Sequence, residues 1–337
     1  MTTTSTDKRI PATILTGFLG AGKTTLLNRI LSEHHGQRIA VIENEFGEAG
    51  VDGDLLIQGE EQIVEMNNGC ICCTVRGDLV RILGDLSQCN LAGQNASDRS
   101  KEKLRFDRVI IETTGLADPA PVAQTFFVEE AIREQYKLDA IITVVDAVHG
   151  MQQLDEHHEA LEQVGFADRI LLSKTDLVTD EAVQAITARL RQINPRAPIK
   201  NVHFGKADIA DILDIGGFVL DEILKIEPDF LEDVSHEHDD EIGSFVFRSE
   251  RAFDLQKLEV FISGLLEIYG TQLLRYKGIL NIAGDDHKTV FQGVHMLMGG
   301  EQGSAWKPNE KRESVLVFIG KALPRNAFEK GLAMCLV

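Results

Sequence analysis

The sequence lacks any apolar run long enough to cross a bilayer, and it does not start with a basic end followed by an apolar stretch. A membrane-spanning helix needs about 20 consecutive apolar residues, and a secretory signal needs a charged end before its apolar core. Residues 1–9 are instead a polar, threonine-rich tail. We therefore expect a cytoplasmic protein that does not insert into a membrane.

Basic residues are scarce as well. The 337 residues include 34 Lys and Arg against 53 Asp and Glu, which gives a formal net charge of −19. An acidic surface of this kind repels the phosphate backbone of nucleic acids and anionic lipid headgroups. Composition thus argues against both as partners. It leaves cations or basic protein surfaces as partners, or solubility alone as the role of the charge.

Cysteine is rare outside one short stretch. Of five cysteines, three crowd together at Cys70, Cys72 and Cys73, while Cys89 and Cys335 lie apart. In a reducing compartment such a cluster indicates metal binding or redox chemistry and not a disulfide framework.

Three thiolates at this spacing favour a soft or borderline metal, of which Zn²⁺ is the commonest cytosolic choice. A fourth ligand is left to Glu43, Glu45, Glu48 or an exogenous group. Because structural zinc sites are usually closed by four protein ligands, an incomplete set suits a site that passes its ion on. The alternatives are a redox sensor and small cysteines packed as hydrophobes.

The most specific motif is GFLGAGKT at residues 17–24, which lies between an apolar run at 12–15 and a stretch of helical spacing at 25–31. Strand, glycine-rich loop and helix in this order predict a phosphate-binding loop, whose backbone N–H groups surround an anion. Lys23 is expected to reach the outer phosphates and Thr24 to bind Mg²⁺. The predicted contacts are Gly17, Gly20, Ala21, Gly22, Lys23, Thr24 and Thr25.

Two later motifs indicate which nucleotide the loop binds. Residues 110–115, with the letters IIETTG, form a strand that ends in an acid, so Glu112 is expected to hold Mg²⁺ directly or through water, and the Gly115 N–H to touch the γ-phosphate. Residues 173–176, SKTD, follow another apolar strand. Asp176 can accept hydrogen bonds from guanine but not from adenine, a difference worth about 10⁴-fold in comparable sites, while the Lys174 stem lies over the base. We therefore predict GTP, not ATP.

Leu116 follows Gly115, where a glutamine would orient the attacking water in Ras-type proteins. The sequence thus predicts slow intrinsic hydrolysis, with water positioned by Glu43, Asn44, Glu45 or a partner.

Strands alternate with helices in the first two thirds of the chain, which predicts an α/β, doubly wound P-loop NTPase with a mostly parallel sheet. We expect strands at 12–15, 38–42, 62–66, 108–111, 140–145, 169–172 and 198–202, and helices at 24–34, 75–86 and 179–193. A polar surface insertion is expected at 87–105. A smaller C-terminal α+β domain should have strands at 244–247, 278–282, 290–297 and 314–319 and a helix at 255–269.

The expected domain bounds are a tail at 1–9, a GTPase domain at 10–226, an acidic linker at 227–243 and a C-terminal domain at 244–337. The linker contains His236 and His238, which could bind Zn²⁺ weakly or simply stay hydrated. The sequence does not fix the oligomeric state, and a homodimer stays an open alternative.

Four stretches together resemble the CobW-type GTPases, and within them the YjiA-like zinc chaperones: residues 16–25, 41–47, 68–73 and 173–176. Residues 274–278 and 291–294 are also similar to that family. The resemblance implies a GTPase domain joined to a CobW C-terminal domain, and GTP-dependent transfer of zinc from the CxCC stretch to client metalloproteins. By matching position it implies Glu43, Glu48, Cys70, Cys72 and Cys73 as metal residues. Ser173 stands where relatives often have Thr or Asn.

The segment from 43 to 74 lies between the second strand and the Mg²⁺-binding strand, where GTPases order and release segments with the γ-phosphate. We therefore expect metal affinity to follow nucleotide state. The alternatives are a GTP-tuned zinc buffer or sensor without a client, delivery of cobalt or another transition metal, and a nucleotide kinase. A kinase would need clustered arginines near the loop, which the sequence lacks.

Overall fold

The computed structural model describes residues 9–33, 36–44, 62–66, 74–94, 106–204, 208, 212–216 and 242–337. Its contacts divide the chain into two compact units that alternate along the sequence. The first comprises Met1–Gly150, Arg169–Val178 and Ile199–Ile215, and the second comprises Met151–Asp168, Thr179–Pro198 and Gly216–Val337. The predicted domain bounds, which follow chain order, stay a prediction.

The first unit contains a seven-stranded sheet in the order β3-β2-β4-β1-β5-β6-β7, and every pairing in it is parallel. The strands are β1 (Ile10–Thr16), β2 (Ile39–Asn44), β3 (Gln62–Met66), β4 (Arg108–Glu112), β5 (Tyr136–Asp146), β6 (Arg169–Ser173) and β7 (Ile199–Val202). The strand that carries Glu112 lies beside β1. The predicted α/β class is confirmed.

The helices of the first unit are α1 (Lys23–Ser32), α2 (Thr74–Gln94), α3 (Ala120–Val128) and α4 (Glu130–Gln135). One side of α1 buries Leu26, Leu27 and Ile30 against the sheet, in a cluster with Leu15 and Val41. This apolar spacing of three and four residues is what a helix needs to cover a sheet face. The packing fixes α1, and with it the loop that precedes α1, relative to β1.

The predicted insertion at 87–105 is wrong in its first part. Helix α2 extends to Gln94, eight residues beyond the predicted end. Ser87 and Asn90 are buried, and the Asn90 amide donates to the Phe106 carbonyl at 3.1 Å and accepts from the Phe106 N–H at 3.2 Å. Polar residues that satisfy buried backbone groups resemble a loop in composition, which explains the error. Residues 95–105 lie outside the described residues.

The second unit contains a five-stranded antiparallel sheet in the order β11-β10-β9-β12-β8. The strands are β8 (Ile242–Ser249), β9 (Leu273–Asn281), β10 (His287–Val294), β11 (Leu297–Ala305) and β12 (Ser314–Lys321). The helices assigned to it are α5 (Gly150–Glu156), α6 (His158–Phe166), α7 (Asp180–Ile193), α8 (Leu255–Tyr269) and α9 (Arg325–Met334). Thr179 caps α7 by accepting from the Ala182 N–H at 3.4 Å.

One sequence prediction for this unit needs correction, and one of its helices was not predicted. The single strand expected at 290–297 is two strands, β10 and β11, joined by a tight turn at His295, whose φ of 51° is left-handed. The helix α9 was not predicted. It packs Phe328 against Phe318 of β12, with ring centroids 5.2 Å apart, so that an aromatic cluster forms the core of the unit.

The segment 274–278, which resembles the CobW family, has a structural role in this unit. Asp168, which precedes β6, accepts from Arg275 at 2.6 Å and from Lys277 at 2.9 Å. Arg275 also donates to the Phe166 carbonyl at 3.0 Å. Because a buried carboxylate needs charged and hydrogen-bonding partners, these two basic residues of β9 allow Asp168 to stay in the interior.

In the part of the chain that the structure describes, no helix combines the length and the apolar character that a membrane crossing requires.

Candidate functional site

The phosphate loop connects the end of β1 to the start of α1. Its backbone has left-handed φ angles of 138° at Gly17, 76° at Gly20 and 102° at Gly22. A side chain is strained at such angles. At Gly17 a Cβ would also lie 2.2 Å from the Val144 carbonyl oxygen. The loop therefore has the curled backbone that the glycine motif predicts.

Lys23 is the first residue of α1, and its side chain folds back over the loop. Its ammonium donates to the Gly17 carbonyl at 2.8 Å. Burial lowers the pKa of Lys23 below its ordinary value, and the negative charge of Glu112 partly offsets that shift. A buried, cationic donor inside a glycine loop matches the charge of a phosphate group.

Thr24 and Glu112 meet beside this lysine. The Thr24 hydroxyl donates to a Glu112 carboxylate oxygen at 2.9 Å, and Leu15 of β1 pairs with Glu112 in the sheet register. Close by in sequence, the Thr114 hydroxyl oxygen is buried and has no hydrogen-bond partner among the described residues. Because Mg²⁺ prefers hard oxygen ligands, a carboxylate and a hydroxyl at the loop fit that ion.

Gly115 packs directly against the phosphate loop. A Cβ on Gly115 would lie 2.6 Å from the Leu19 backbone nitrogen, so only glycine allows this approach. The Thr113 hydroxyl donates to the Thr16 hydroxyl at 2.8 Å, which ties the same segment to the end of β1. The next side chain, Leu116, is 52% exposed and has no group that could orient a water molecule.

The SKTD segment is attached to the other end of the loop. The Ser173 hydroxyl donates to the Ala21 carbonyl at 2.7 Å. The Lys174 ammonium donates to the Gly20 carbonyl at 2.8 Å and to Asp146, which is 1% exposed, at 2.7 Å. Lys174 itself has a left-handed φ of 57°. Three side-chain contacts thus hold this segment in place.

A cavity of about 230 Å³ lies between the loop and the SKTD segment. Its lining includes Ala21, Gly22, Thr25, Lys174, Asp176 and Phe204. Its walls are mostly apolar and Asp176 supplies a carboxylate, which is the combination a purine base with N–H donors requires. The structure therefore places Lys174 and Asp176 at a cavity that borders the phosphate loop. Contacts within and beside that loop bring together Gly17, Gly20, Lys23, Thr24, Glu112 and Gly115.

A family model described as "CobW/HypB/UreG, nucleotide-binding domain" matches residues 11–201 of this sequence. The chain belongs to the CobW/HypB/UreG family. A second model, described as the "Cobalamin synthesis protein cobW C-terminal domain", matches residues 242–336. The predicted family is confirmed.

Individual members of the CobW family are similar over nearly the whole chain. The zinc chaperone YjiA of Escherichia coli (strain K12) is 42% identical over 325 residues, which cover 96% of this chain and 98% of YjiA. The zinc-regulated GTPase metalloprotein activator 1 of Dictyostelium discoideum is 34% identical over 82% of this chain and 64% of that protein.

The fold agrees with crystal structures of the same relative. Zn(II)-bound YjiA GTPase superimposes with a TM-score of 0.74 at 36% identity, covering 98% of this chain and 99% of YjiA. A YjiA variant in which one glutamate and two cysteines are replaced by alanine is also Zn(II)-bound and superimposes with a TM-score of 0.74.

Of the metal residues predicted for this CobW-family chain, only Glu43 lies within the described residues. Glu48, Cys70, Cys72 and Cys73 lie outside the described residues, as do Glu45, His236 and His238. The backbone of Glu43 lies in β2, where it pairs with Glu112 of β4 and with Glu65 of β3. Within the described ranges, no group of three or more His, Cys, Asp or Glu side chains is arranged to hold a metal ion.

Sequence reasoning missed three residues at the cleft. Asp146 ends β5 and holds Lys174, and His203 and Phe204 follow β7, with a His203 ring nitrogen 3.5 Å from an Asp176 carboxylate oxygen. All three lie at the carboxyl end of a strand, Asp146 as its last residue and the other two directly after it. In a parallel sheet, ligand groups gather at the carboxyl ends of the strands, so this rule could have identified them.

Proposed function

We propose that this chain is a GTP-hydrolysing metallochaperone. It holds a divalent metal, with zinc as the favoured ion, at the CxCC stretch of residues 70–73. It transfers that ion to client metalloproteins, and the transfer is coupled to the GTPase cycle. The prediction of a GTPase that works with GTP, Mg²⁺ and Zn²⁺ is confirmed at the level of the family, whose members are named zinc chaperones and zinc-regulated GTPases.

The observation that carries the coupling is the register of two neighbouring strands. Glu43, the first of the proposed metal residues, is the Cα partner of Glu112, and Glu112 accepts the Thr24 hydroxyl at 2.9 Å. Adjacent strands are about 4.8 Å apart. A change in the hydrogen bonding of Glu112 when a nucleotide binds thus takes place one strand away from the start of the metal segment.

The chain path supports the same proposal. β3 is parallel to β2 and ends at Met66 on the carboxyl edge of the sheet. The chain continues into α2 at Thr74, so the CxCC stretch lies in sequence between the carboxyl end of β3 and the start of α2. Because the phosphate loop leaves β1 at the same edge, nucleotide and metal are expected to share one side of the sheet.

The residues of the cleft receive the following roles. Lys23 and the loop N–H groups bind the β- and γ-phosphates. Thr24 and Glu112 would hold Mg²⁺, which would neutralise phosphate charge. The Gly115 N–H donates to the γ-phosphate. Glycine is required there because a side chain would clash with the loop. Lys174 supports one face of the base, and Asp176 accepts from guanine N–H groups.

Hydrolysis is expected to be slow in the isolated chain. Leu116, at the position after Gly115, is apolar and half exposed, so it offers no hydrogen bond to water. Water must be positioned by another group, such as Glu43, Asn44, Glu45 or a residue of the client. A slow intrinsic rate suits a protein whose metal-loaded GTP form must persist until it meets its client.

A specific observation on a relative shapes the test. Zn(II) is present in a YjiA variant that lacks one glutamate and two cysteines, so that protein has other groups that bind zinc. The same is expected here, for example at His236 and His238. Total zinc content is therefore a poor measure of the proposed cargo site, and the test must follow the zinc that is transferred.

The test loads the full chain with radioactive ⁶⁵Zn, removes weakly bound zinc with a chelator, and adds a metal-stripped protein extract. We expect labelled client proteins to appear faster with GTP and Mg²⁺ than with a non-hydrolysable GTP analogue. The Cys72→Ala variant should bind GTP normally but transfer little label.

Equal transfer with GTP and the analogue would contradict a chaperone and favour the second candidate, a zinc buffer that GTP merely tunes. Repeating the experiment with radioactive cobalt separates zinc delivery from cobalt delivery.

A further inference from the structure

Phe204 is an unusual residue of the first unit. It follows β7, its side chain is 81% exposed, and its φ of 48° is left-handed. A large apolar side chain in solvent loses the stabilisation of burial, and a non-glycine residue at such an angle is strained. The exposed ring and the strained backbone both destabilise the protein, and they occur at a residue that lines the base cavity. A ligand that covers the ring would offset this loss of stability.

Lys174, another residue that lines this cavity, is already held in place by two contacts. The Lys174 ammonium is bound to the Gly20 carbonyl at 2.8 Å and to Asp146 at 2.7 Å. These two contacts leave the methylene stem of Lys174 as an apolar surface that lines the cavity together with Leu177. One face of a planar ring system can lie on that stem.

The residue before Phe204 contacts the group proposed to read the base. A His203 ring nitrogen lies 3.5 Å from an Asp176 carboxylate oxygen. Two consecutive residues are therefore near the base site: His203 contacts the Asp176 carboxylate, and Phe204 lines the cavity. Because Asp176 and Phe204 line the same cavity, a base bonded to the Asp176 carboxylate would share that cavity with Phe204.

We propose that Phe204 forms the second wall of the base site and stacks on the purine, opposite the Lys174 stem. This inference rests on the proposed guanine site. Stacking on an aromatic side chain does not depend on which base is bound. Phe204 thus supplies affinity for purine nucleotides in general, while Asp176 supplies the preference for guanine.

The test measures Mg²⁺–GDP and Mg²⁺–IDP binding to the full-length chain by calorimetry. Removing an aromatic stacking partner costs about 1–3 kcal/mol, so Phe204→Ala should weaken GDP about tenfold. It should weaken IDP by the same factor, because the GDP/IDP ratio belongs to Asp176. Inorganic tripolyphosphate, which has no base, should bind as tightly as to the wild type.

Val260→Ala is the matched control, since Val260 is a 75% exposed apolar residue of α8 and should leave all three affinities unchanged. Phe204→Trp provides an independent readout. It should retain GDP affinity, and its fluorescence should change on GDP addition in a way that the wild type, with its single Trp306, does not show.

Wild-type GDP affinity in Phe204→Ala would overturn the inference. An equal loss of tripolyphosphate binding in that variant would do the same, as would a fluorescence spectrum of Phe204→Trp that does not respond to GDP. The proposed function fails separately: if Asp176→Asn leaves the GDP/IDP ratio unchanged, the guanine site itself is wrong, whatever Phe204 does.

Discussion

The two ends of the nucleotide cleft are built differently. At the base end, Ser173 and Lys174 donate to the Ala21 and Gly20 carbonyls, and Asp146 holds Lys174. At the phosphate end, Lys23 bonds the carbonyl of Gly17 in its own loop and Thr24 bonds Glu112. The base end is tied to the phosphate loop and to β5, whereas the groups expected to meet phosphate and Mg²⁺ are bonded to the loop itself and to Glu112 of β4.

This difference suggests that the two ends of the cleft have different roles. We expect the groups at the base end to keep their partners when a base binds, so that recognition there needs little rearrangement. We expect the groups at the phosphate end to exchange partners when a phosphate binds. Because such an exchange differs between GTP and GDP, the phosphate end is the part of the cleft that can transmit nucleotide state to a neighbouring strand.

Replacing Lys23, the central group of the phosphate end, should have the largest effect on GTP hydrolysis. In Lys23→Ala the buried ammonium that faces the phosphates is lost, and we expect GTP hydrolysis to fall about 10³-fold, as when a preorganised donor is removed. Single-turnover hydrolysis of radiolabelled GTP measures this change. Lys330→Ala, on an exposed face of α9, is the control, and a Lys23→Ala rate within tenfold of wild type would disprove the assigned role.

The base end should show a change of selectivity instead. In Asp176→Asn the carboxylate that accepts from guanine N–H groups becomes an amide, and GTP affinity should drop about 100-fold because buried polar groups are left mispaired. Affinity for xanthosine triphosphate, whose carbonyl can accept from the new amide, should rise. Competition binding of the two nucleotides tests this prediction, with the exposed Asp155→Asn as control. Unchanged base preference would contradict it.

Weakening the support of Lys174 should have a smaller effect. Asp146→Asn keeps the oxygen that accepts from the Val148 N–H at 2.8 Å but removes the charge that holds Lys174. A hydrogen bond to a charged group contributes about 1.5–3 kcal/mol, so GDP affinity should fall at least tenfold. Calorimetry with GDP and with tripolyphosphate separates a base-end defect, which spares tripolyphosphate, from general damage to the loop.

The smallest loss of GDP affinity is expected when Ser173 is replaced. Ser173→Ala removes one neutral hydrogen bond of 2.7 Å to the Ala21 carbonyl, which contributes about 1 kcal/mol. GDP affinity should fall about fivefold, and Ser173→Thr, which keeps the hydroxyl, should restore it. If the alanine variant loses more affinity than Asp146→Asn does, the proposed order of support at the base end is wrong.

Motifs with a fixed backbone requirement could be predicted from the sequence. The loop at 17–24 needs glycine at left-handed positions and a strand and helix on either side, so its site residues and the α/β fold follow from the letters. Helix α8 was also predicted with its observed bounds, Leu255–Tyr269, because its apolar spacing is regular.

Features that depend on tertiary partners could not be predicted. Asn90 suggests a loop by composition and is instead buried against Phe106. Asp146 is an ordinary acid at a strand end until its contact with Lys174 is known. Phe204 is inconspicuous in sequence, and only its exposure and its place at the cavity single it out.

The central claim is that the nucleotide site and the CxCC stretch are energetically coupled. Its most direct test is a competitive Zn²⁺ titration of the full chain against a chromophoric chelator, with GDP and with a non-hydrolysable GTP analogue. A coupling of about 1–3 kcal/mol predicts that Zn²⁺ affinity differs between the two states about 5- to 150-fold, and that Cys72→Ala abolishes the difference. Equal Zn²⁺ affinity in both nucleotide states of the wild-type chain would contradict the claim.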